Sequence, residues 1–158
     1  MRRAIDLARE KMIAGEGRPF GCVILKDGEV IGEGWNSMDR DHDPTAHGEV
    51  VAIRDACKRL ETLDLSGAEL YTSCEPCPMC TSVIYLASIS KLYYAASADD
   101  TELFGNDPRR MRREVGKPIG ERQLANEQLM AIEGRALLLE WAESLKGYGA
   151  RGNIGDCW

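Results

Sequence analysis

A layered α/β fold is what the sequence predicts, because β-prone runs and amphipathic helical stretches alternate along it. Three observations carry this expectation. Cys22–Lys26 and Val30–Glu33 flank Asp27-Gly28, a strong tight-turn dipeptide, and so read as a hairpin. Val50, Ile53, Cys57 and Leu60 recur at helical spacing and predict a buried amphipathic helix over roughly 46–60. Glu69–Ser73 and Lys91–Ala95 read as strands on either side of a helix that runs to about Ala87.

The remaining elements fill in around these. Residues 2–14 read as a helix with Ile5, Ala8 and Met12 on one face, ended by Gly15-Glu16-Gly17. Residues 36–45, rich in Asn, Ser, Asp and Pro, form a loop. The polar stretch 99–127, with a turn at Gly105-Asn106-Asp107-Pro108, predicts short helices. A short apolar run at Gln128–Ile132 reads as a weak fifth strand, and Leu137, Trp141 and Leu145 mark a last helix. At 158 residues the chain has the length of one compact domain, with no repeats and no dividing linker.

Composition narrows the function classes. No stretch approaches the eighteen or so apolar residues of a membrane span. Asp6, Arg9, Glu10 and Lys11 bring charge too early for a signal peptide, which predicts a soluble cytoplasmic protein. A net charge of −6 is a poor footprint for nucleic-acid binding. The basic run Arg109, Arg110, Arg112, Arg113 reads as a solvated helix face. Of the six cysteines, Cys74, Cys77 and Cys80 fall within seven residues among prolines, which favours metal or redox chemistry over a disulfide framework.

Two segments carry chemistry: Pro44-Thr45-Ala46-His47-Gly48-Glu49 and Ser73-Cys74-Glu75-Pro76-Cys77-Pro78-Met79-Cys80. Each precedes a helical apolar pattern with turn residues and proline, so each opens a helix. Cys77 and Cys80 are three apart and meet on one face of a first turn, where Pro78 is tolerated. The partial positive charge of a helix amino terminus favours the thiolates that a metal requires. His47, Cys77 and Cys80 are three good zinc ligands, and three ligands leave the fourth tetrahedral position for water, the arrangement of a catalytic site. Zinc would turn that water into hydroxide, the nucleophile, near neutral pH. Removing an amino group from a heterocycle also requires proton transfer to the ring nitrogen and to the leaving amine. Glu49, two residues after His47, is placed to be that proton shuttle.

His47-Gly48-Glu49 with Pro76-Cys77-Pro78-Met79-Cys80 matches the H-x-E…P-C-x-x-C signature of zinc deaminases. The sequence resembles the cytidine-deaminase superfamily, in the branch of bacterial guanine deaminases and tRNA-adenosine deaminases. The resemblance runs from about Pro19 to Pro118 and includes Pro19-Phe20-Gly21, Gly32-Glu33-Gly34-Trp35-Asn36 and Tyr71-Thr72-Ser73-Cys74-Glu75-Pro76-Cys77. It implies a three-layer α/β/α cytidine-deaminase-like fold with a central mixed five-stranded sheet, one zinc per subunit and a homodimer. Residues 1–146 would be the zinc-dependent deaminase domain and 147–158 a Gly-rich tail. Carried over by position, Asn36 would hydrogen-bond the substrate base, with Phe20, Gly48, Asp107 and Trp158 as further substrate contacts.

The cysteine block and Tyr94-Ala95-Ala96 resemble guanine deaminases, while Arg40-Asp41-His42-Asp43-Pro44 resembles the tRNA enzymes. Two departures bear on the substrate. The family usually has alanine where this chain has Gly48, which would enlarge the pocket floor. Guanine deaminases carry paired aspartates where this chain has Asp107-Pro108, which puts guanine itself in question. The reading is therefore hydrolytic deamination of a free heterocyclic base (guanine, cytosine or a related purine or aminotriazine) with release of ammonia. The alternatives are adenosine-to-inosine editing in tRNA and a non-catalytic zinc module, closed by Cys74 as a fourth ligand. His42 reads as a loop or capping residue, and Cys22 and Cys57 as small apolar positions. Trp35, Phe20 and Leu86 read equally as core or pocket. The tail with Trp158 either closes over a site or packs on the surface near Tyr148 or Trp141.

Overall fold

A computed structural model describes residues 1–146. They fall in two compact units, Met1–Arg113 and a second that begins at Glu114. The first holds α1 (Arg2–Ile13), β1 (Gly21–Lys26), β2 (Glu29–Trp35), the single turn α2 (Met38–Asp41), α3 (Gly48–Leu60), β3 (Glu69–Cys74), α4 (Pro78–Leu86), β4 (Lys91–Ala96) and a 3-10 turn at Asp99–Phe104. Helix α5 (Pro108–Val115) crosses the boundary, and the second unit adds a 3-10 turn at Ile119–Glu121 and α6 (Ala131–Lys146).

The sheet runs β2-β1-β3-β4. β1 pairs antiparallel with β2 and with β3, and β3 pairs parallel with β4. The hairpin follows from Asp27 and Gly28, whose φ angles of 53° and 84° are the left-handed pair that a two-residue turn requires. The parallel pair needs a crossover, and α4 supplies it. Strand β1 alternates its side chains between two helical layers. Gly21 lies against Ala4 and Ala8 of α1, while Cys22 and Ile24 join Ala52, Ile53 and Ala56 of α3 and Ile84 of α4 in the core. Helices thus cover both faces of a mixed sheet, as the resemblance implied.

Glycine sets the distance between α3 and the sheet. A Cβ on Gly32 would stand 2.5 Å from the Ala52 carbonyl oxygen, and one on Gly34 would stand 2.4 Å from both the Ala52 nitrogen and the Gly48 oxygen. Helix and strand touch backbone to backbone there. The buried stripe of α3 accordingly runs through Glu49, Ala52, Ile53 and Ala56, while the predicted Cys57 is half-buried and Leu60 exposed.

One expected element takes another form. The described residues have four strands, and the fifth expected at Gln128–Ile132 is absent: 128–130 are irregular and α6 begins at Ala131. Ala131 to Lys146 is rich in Ala, Leu and Glu, strong helix formers, and the four-residue apolar run Leu129–Ile132, half of it inside α6, does not outweigh them. Leu137, Trp141 and Leu145 lie on α6 as predicted, but all three are exposed.

Candidate active site

The two chemistry-bearing segments meet at the amino termini of α3 and α4. His47 and Cys77 are the N-cap residues of these helices, both with extended backbone, and Pro78 opens α4. The loop before His47 is held by Asp43, whose Oδ1 accepts from the Thr45 N–H at 2.8 Å and the Thr45 hydroxyl at 2.6 Å. The Ser37 N–H donates to the Ala46 carbonyl at 2.9 Å and ties the loop to the end of β2.

His47 Nδ1 lies 3.7 Å from Cys77 Sγ and 3.5 Å from Cys80 Sγ, and the two sulfurs are 3.6 Å apart. A tetrahedral zinc with bonds of about 2.0–2.1 Å to nitrogen and 2.3 Å to sulfur sets N···S near 3.6 Å and S···S near 3.8 Å. The three side chains fit zinc to within about 0.2 Å, and no other group of its kind occurs among the described residues. Their protonation suits a metal as well. Cys77 is lowered to about 4, first by its hydrogen bond with Cys80 and then by His47, while that same hydrogen bond and burial hold Cys80 up. Two thiols 3.6 Å apart do not readily carry two negative charges at once, and a cation bound between them would displace their protons.

Cys74 does not close the group. Its thiol donates to the Ser97 carbonyl at 3.5 Å, and it stands outside the three-residue cluster. The carboxyl of Glu49 is buried on the first turn of α3, and burial raises its pKa. Its Oε1 accepts from the Thr72 hydroxyl at 3.4 Å. Thr72 was not singled out in the sequence. The inward alternation of β3, two residues before Cys74, is the signal that points to it.

A cavity of about 470 Å³ opens over these groups, with Glu49, His47, Cys74 and Cys77 in its lining. Asn36 and Phe20 are part of its lining. Asn36 is buried, its backbone clamped by the bond from its N–H to the Phe20 carbonyl at 2.8 Å and by the Arg18 N–H donating to its own carbonyl at 3.0 Å. Phe20 meets Phe104 edge-on at 6.2 Å between centroids. Arg18, Glu75 and Arg112 also line the cavity, and sequence reasoning missed all three as site residues.

The other expected contacts are placed elsewhere. Gly48 does not enlarge a pocket floor, because its missing Cβ points at β1, 3.1 Å from the Phe20 carbonyl oxygen. Asp107 is absent from the cavity lining, and its carboxylate accepts from the Arg109 N–H at 3.0 Å and from Arg113 at 2.9 Å. Trp158 and the whole tail from 147 lie outside the described residues. His42 is the left-handed C-cap of α2, a capping residue as read. Trp35 and Leu86 line no part of the cavity; the Trp35 indole donates to the Glu16 carbonyl at 3.4 Å and lies under Lys11.

With this geometry in view, comparison with known proteins is decisive. Residues 1–96 match the profile of the cytidine and deoxycytidylate deaminase zinc-binding region. The chain belongs to that family. Zinc is therefore its cofactor, and a hydrolase acting on C–N bonds is what the family indicates. The chain is 45% identical over 141 residues to the guanine deaminase of Bacillus subtilis, covering 89% of this chain and 90% of that one. The X-ray structure of guanine deaminase from that organism superposes with a TM-score of 0.87 at 42% identity, over 96% of this chain and 94% of that one. A tRNA-specific adenosine deaminase of Aquifex aeolicus is 46% identical over 78 residues, covering 49% of this chain and 52% of that protein. No helix among the described residues is long and apolar enough to cross a membrane.

Proposed function

We propose that this protein is a zinc-dependent hydrolytic deaminase of free heterocyclic bases such as guanine, cytosine or a related purine or aminotriazine. One observation carries the reading: a buried carboxyl, Glu49, lines the same cavity as His47 and Cys77 of the His47, Cys77 and Cys80 group without belonging to that group. A structural zinc module has no use for such a group. Zinc, when bound, lowers the pKa of water toward about 7 and so supplies a nucleophile at neutral pH. Glu49 takes the proton that the attacking water gives up and passes it to the ring nitrogen. It then takes the remaining proton from the hydroxyl added to the ring carbon and delivers it to the amino group, which leaves as ammonia while that oxygen becomes the carbonyl. Its raised pKa suits both tasks, since a shuttle works best with a pKa near the operating pH. Asn36 holds the edge of the base, and Phe20 with Phe104 gives its ring an apolar wall.

Free bases are favoured over tRNA by the charge around the cavity. Arg109, Arg112 and Arg113 of α5 each pair with carboxylates, so the basic run offers little surplus charge to a polyanion. The exposed Leu137, Leu138, Leu139 and Trp141 of α6 support the expected homodimer, because a bare apolar helix face calls for a partner. The mechanism is tested by Glu49→Gln, assayed for zinc content and for ammonia release from a panel of bases. Zinc and fold should be retained while turnover falls by about 10²–10⁴-fold. A variant keeping most of its activity would remove Glu49 from the reaction.

A further inference from the structure

The deaminase reading leaves open what the ring must carry besides its amino group, and the inference that follows rests on that reading. Two guanidinium groups line the cavity, those of Arg18 and Arg112, and each is held by a carboxylate. Arg18 donates through Nε and Nη2 to the two oxygens of Asp39, both at 2.9 Å, so its fork is fully engaged. Arg112 donates through Nη2 alone, to Oε1 of Glu75. Glu75 is fixed in turn, because its Oε2 accepts the Ala98 N–H at 2.9 Å. Arg112 is thereby anchored at one nitrogen, and its Nε and Nη1 have no acceptor among the described residues. A guanidinium fixed in this way presents its other N–H groups in a set plane to whatever enters the cavity.

Charge decides what kind of acceptor suits those donors. Arg112 and Glu75 cancel, as do Arg18 and Asp39, so the two pairs leave no surplus positive charge with which to draw in a phosphate. A neutral carbonyl oxygen asks only for a well-aimed donor. Asp107 does not compete for the guanidinium, since its carboxylate already takes Arg113 and the Arg109 N–H.

We infer that Arg112 is a specificity residue that donates to an exocyclic oxygen of the base, so that the site selects amino-bearing rings that also carry an oxo group. Glu75 acts through it, as a positioning residue.

The test uses matched rings with and without the oxygen: guanine and 2-aminopurine, cytosine and 4-aminopyrimidine, ammeline and 2,4-diamino-1,3,5-triazine. Ammonia release from each is measured for the zinc-loaded wild type, Arg112→Met and Arg112→Lys. Comparing each variant with wild type cancels the intrinsic reactivity of the two rings. Arg112→Met should lower kcat/KM on the oxygen-bearing ring about ten- to hundredfold more than on its partner, the loss expected for one charge-assisted hydrogen bond. Arg112→Lys keeps the charge without the planar fork and should restore part of the preference. Arg112 is 44% exposed on a helix, so both variants should fold, which zinc content and thermal melting would verify. Equal losses on both members of a pair would overturn the inference. So would a wild-type preference for base monophosphates that Arg112→Met abolishes, which would assign the arginine to phosphate. Failure of the wild type to release ammonia from any of the six rings would instead defeat the deaminase reading itself, and this inference with it.

Discussion

Replacing Gly34 by alanine should damage both stability and turnover, through a single contact. The added Cβ would stand 2.4 Å from the Ala52 nitrogen and 2.4 Å from the Gly48 carbonyl oxygen, both backbone atoms of α3. Neither can rotate away. Restoring an ordinary 3.4 Å separation requires α3 to retreat by about 1 Å along its amino-terminal half. That retreat loosens Ala52, Ile53 and Ala56 against the sheet, and overpacking of this kind costs about 1–3 kcal/mol. The same turn carries His47 and Glu49, and a 1 Å misplacement of reacting groups can cost about a hundredfold in rate. Urea unfolding, zinc content and kcat for ammonia release would be measured on Gly34→Ala, Gly48→Ala and Gly120→Ala. Gly48 is the intermediate case, with its Cβ 3.1 Å from the Phe20 oxygen, and should lose less than about 1 kcal/mol. Gly120 has nothing within 4 Å and no positive φ, so alanine there should be neutral or slightly stabilising. Wild-type stability and turnover in Gly34→Ala would refute the view that backbone contact sets the position of α3.

Further outcomes follow from the metal group and from the charge pairs. Cys74→Ser should retain one zinc per chain, whereas Cys77→Ser and Cys80→Ser should lose it along with part of the thermal stability; zinc loss from Cys74→Ser would restore the closed-cage reading. Glu33 is held below its ordinary value near 4.5, first by its hydrogen bond with Arg3, a link from β2 to α1. A depressed carboxyl contributes stability above its unfolded pKa and loses it as pH falls through the folded one. The stability gap between wild type and Glu33→Gln should therefore be flat from neutral pH down to about 5 and close below about 4. Solvent exposure keeps it under about 1 kcal/mol. A gap that widens on acidification would reverse the sign and refute the assignment.

How far the site could be read in advance depends on how local each part is. The helix openings at His47 and Cys77 were legible because caps, turn residues and proline act within one turn of chain. The meeting of Cys77 and Cys80 was legible because residues three apart on a first turn share a face. Thr72 and Arg112 were not, because their roles come from what stands next to them. Thr72 reaches Glu49 across 23 residues of sequence, and Arg112 reaches Glu75 across 37. The placement of Gly48 and Asp107 outside the cavity lining was not legible for the same reason. A glycine after a metal ligand reads alike whether its open side faces a pocket or a strand, and only the packing of α3 on β1 turned it to the strand. An aspartate beside four arginines has several possible acceptor roles, and the first turns of α5, which begins at the next residue, satisfy it locally.

Residue pattern alone was enough for the alternation of strands and helices, the Asp27-Gly28 hairpin, the His47, Cys77 and Cys80 group that could hold a metal, and the carboxyl of Glu49. The hairpin turn, the Cys77–Cys80 pair and the placing of Glu49 after His47 are written in spacings of four residues or fewer, within which backbone geometry leaves little choice; His47 stands 30 residues from Cys77, and the H-x-E…P-C-x-x-C pattern is what joins them. Packing between distant segments decided that α3 rides directly on Gly32 and Gly34, that Cys74 turns to Ser97 and stays outside the His47, Cys77 and Cys80 group, and that Arg112 lines the cavity while Asp107 does not. The tertiary structure also decided that 128–132 leads into a helix, where a single apolar run was balanced against the helix propensity of the sixteen residues that follow. These outcomes depend on which element lies alongside which. Side-chain pattern leaves that choice open until the buried faces, the backbone hydrogen bonds and the close approaches allowed by glycine are satisfied together.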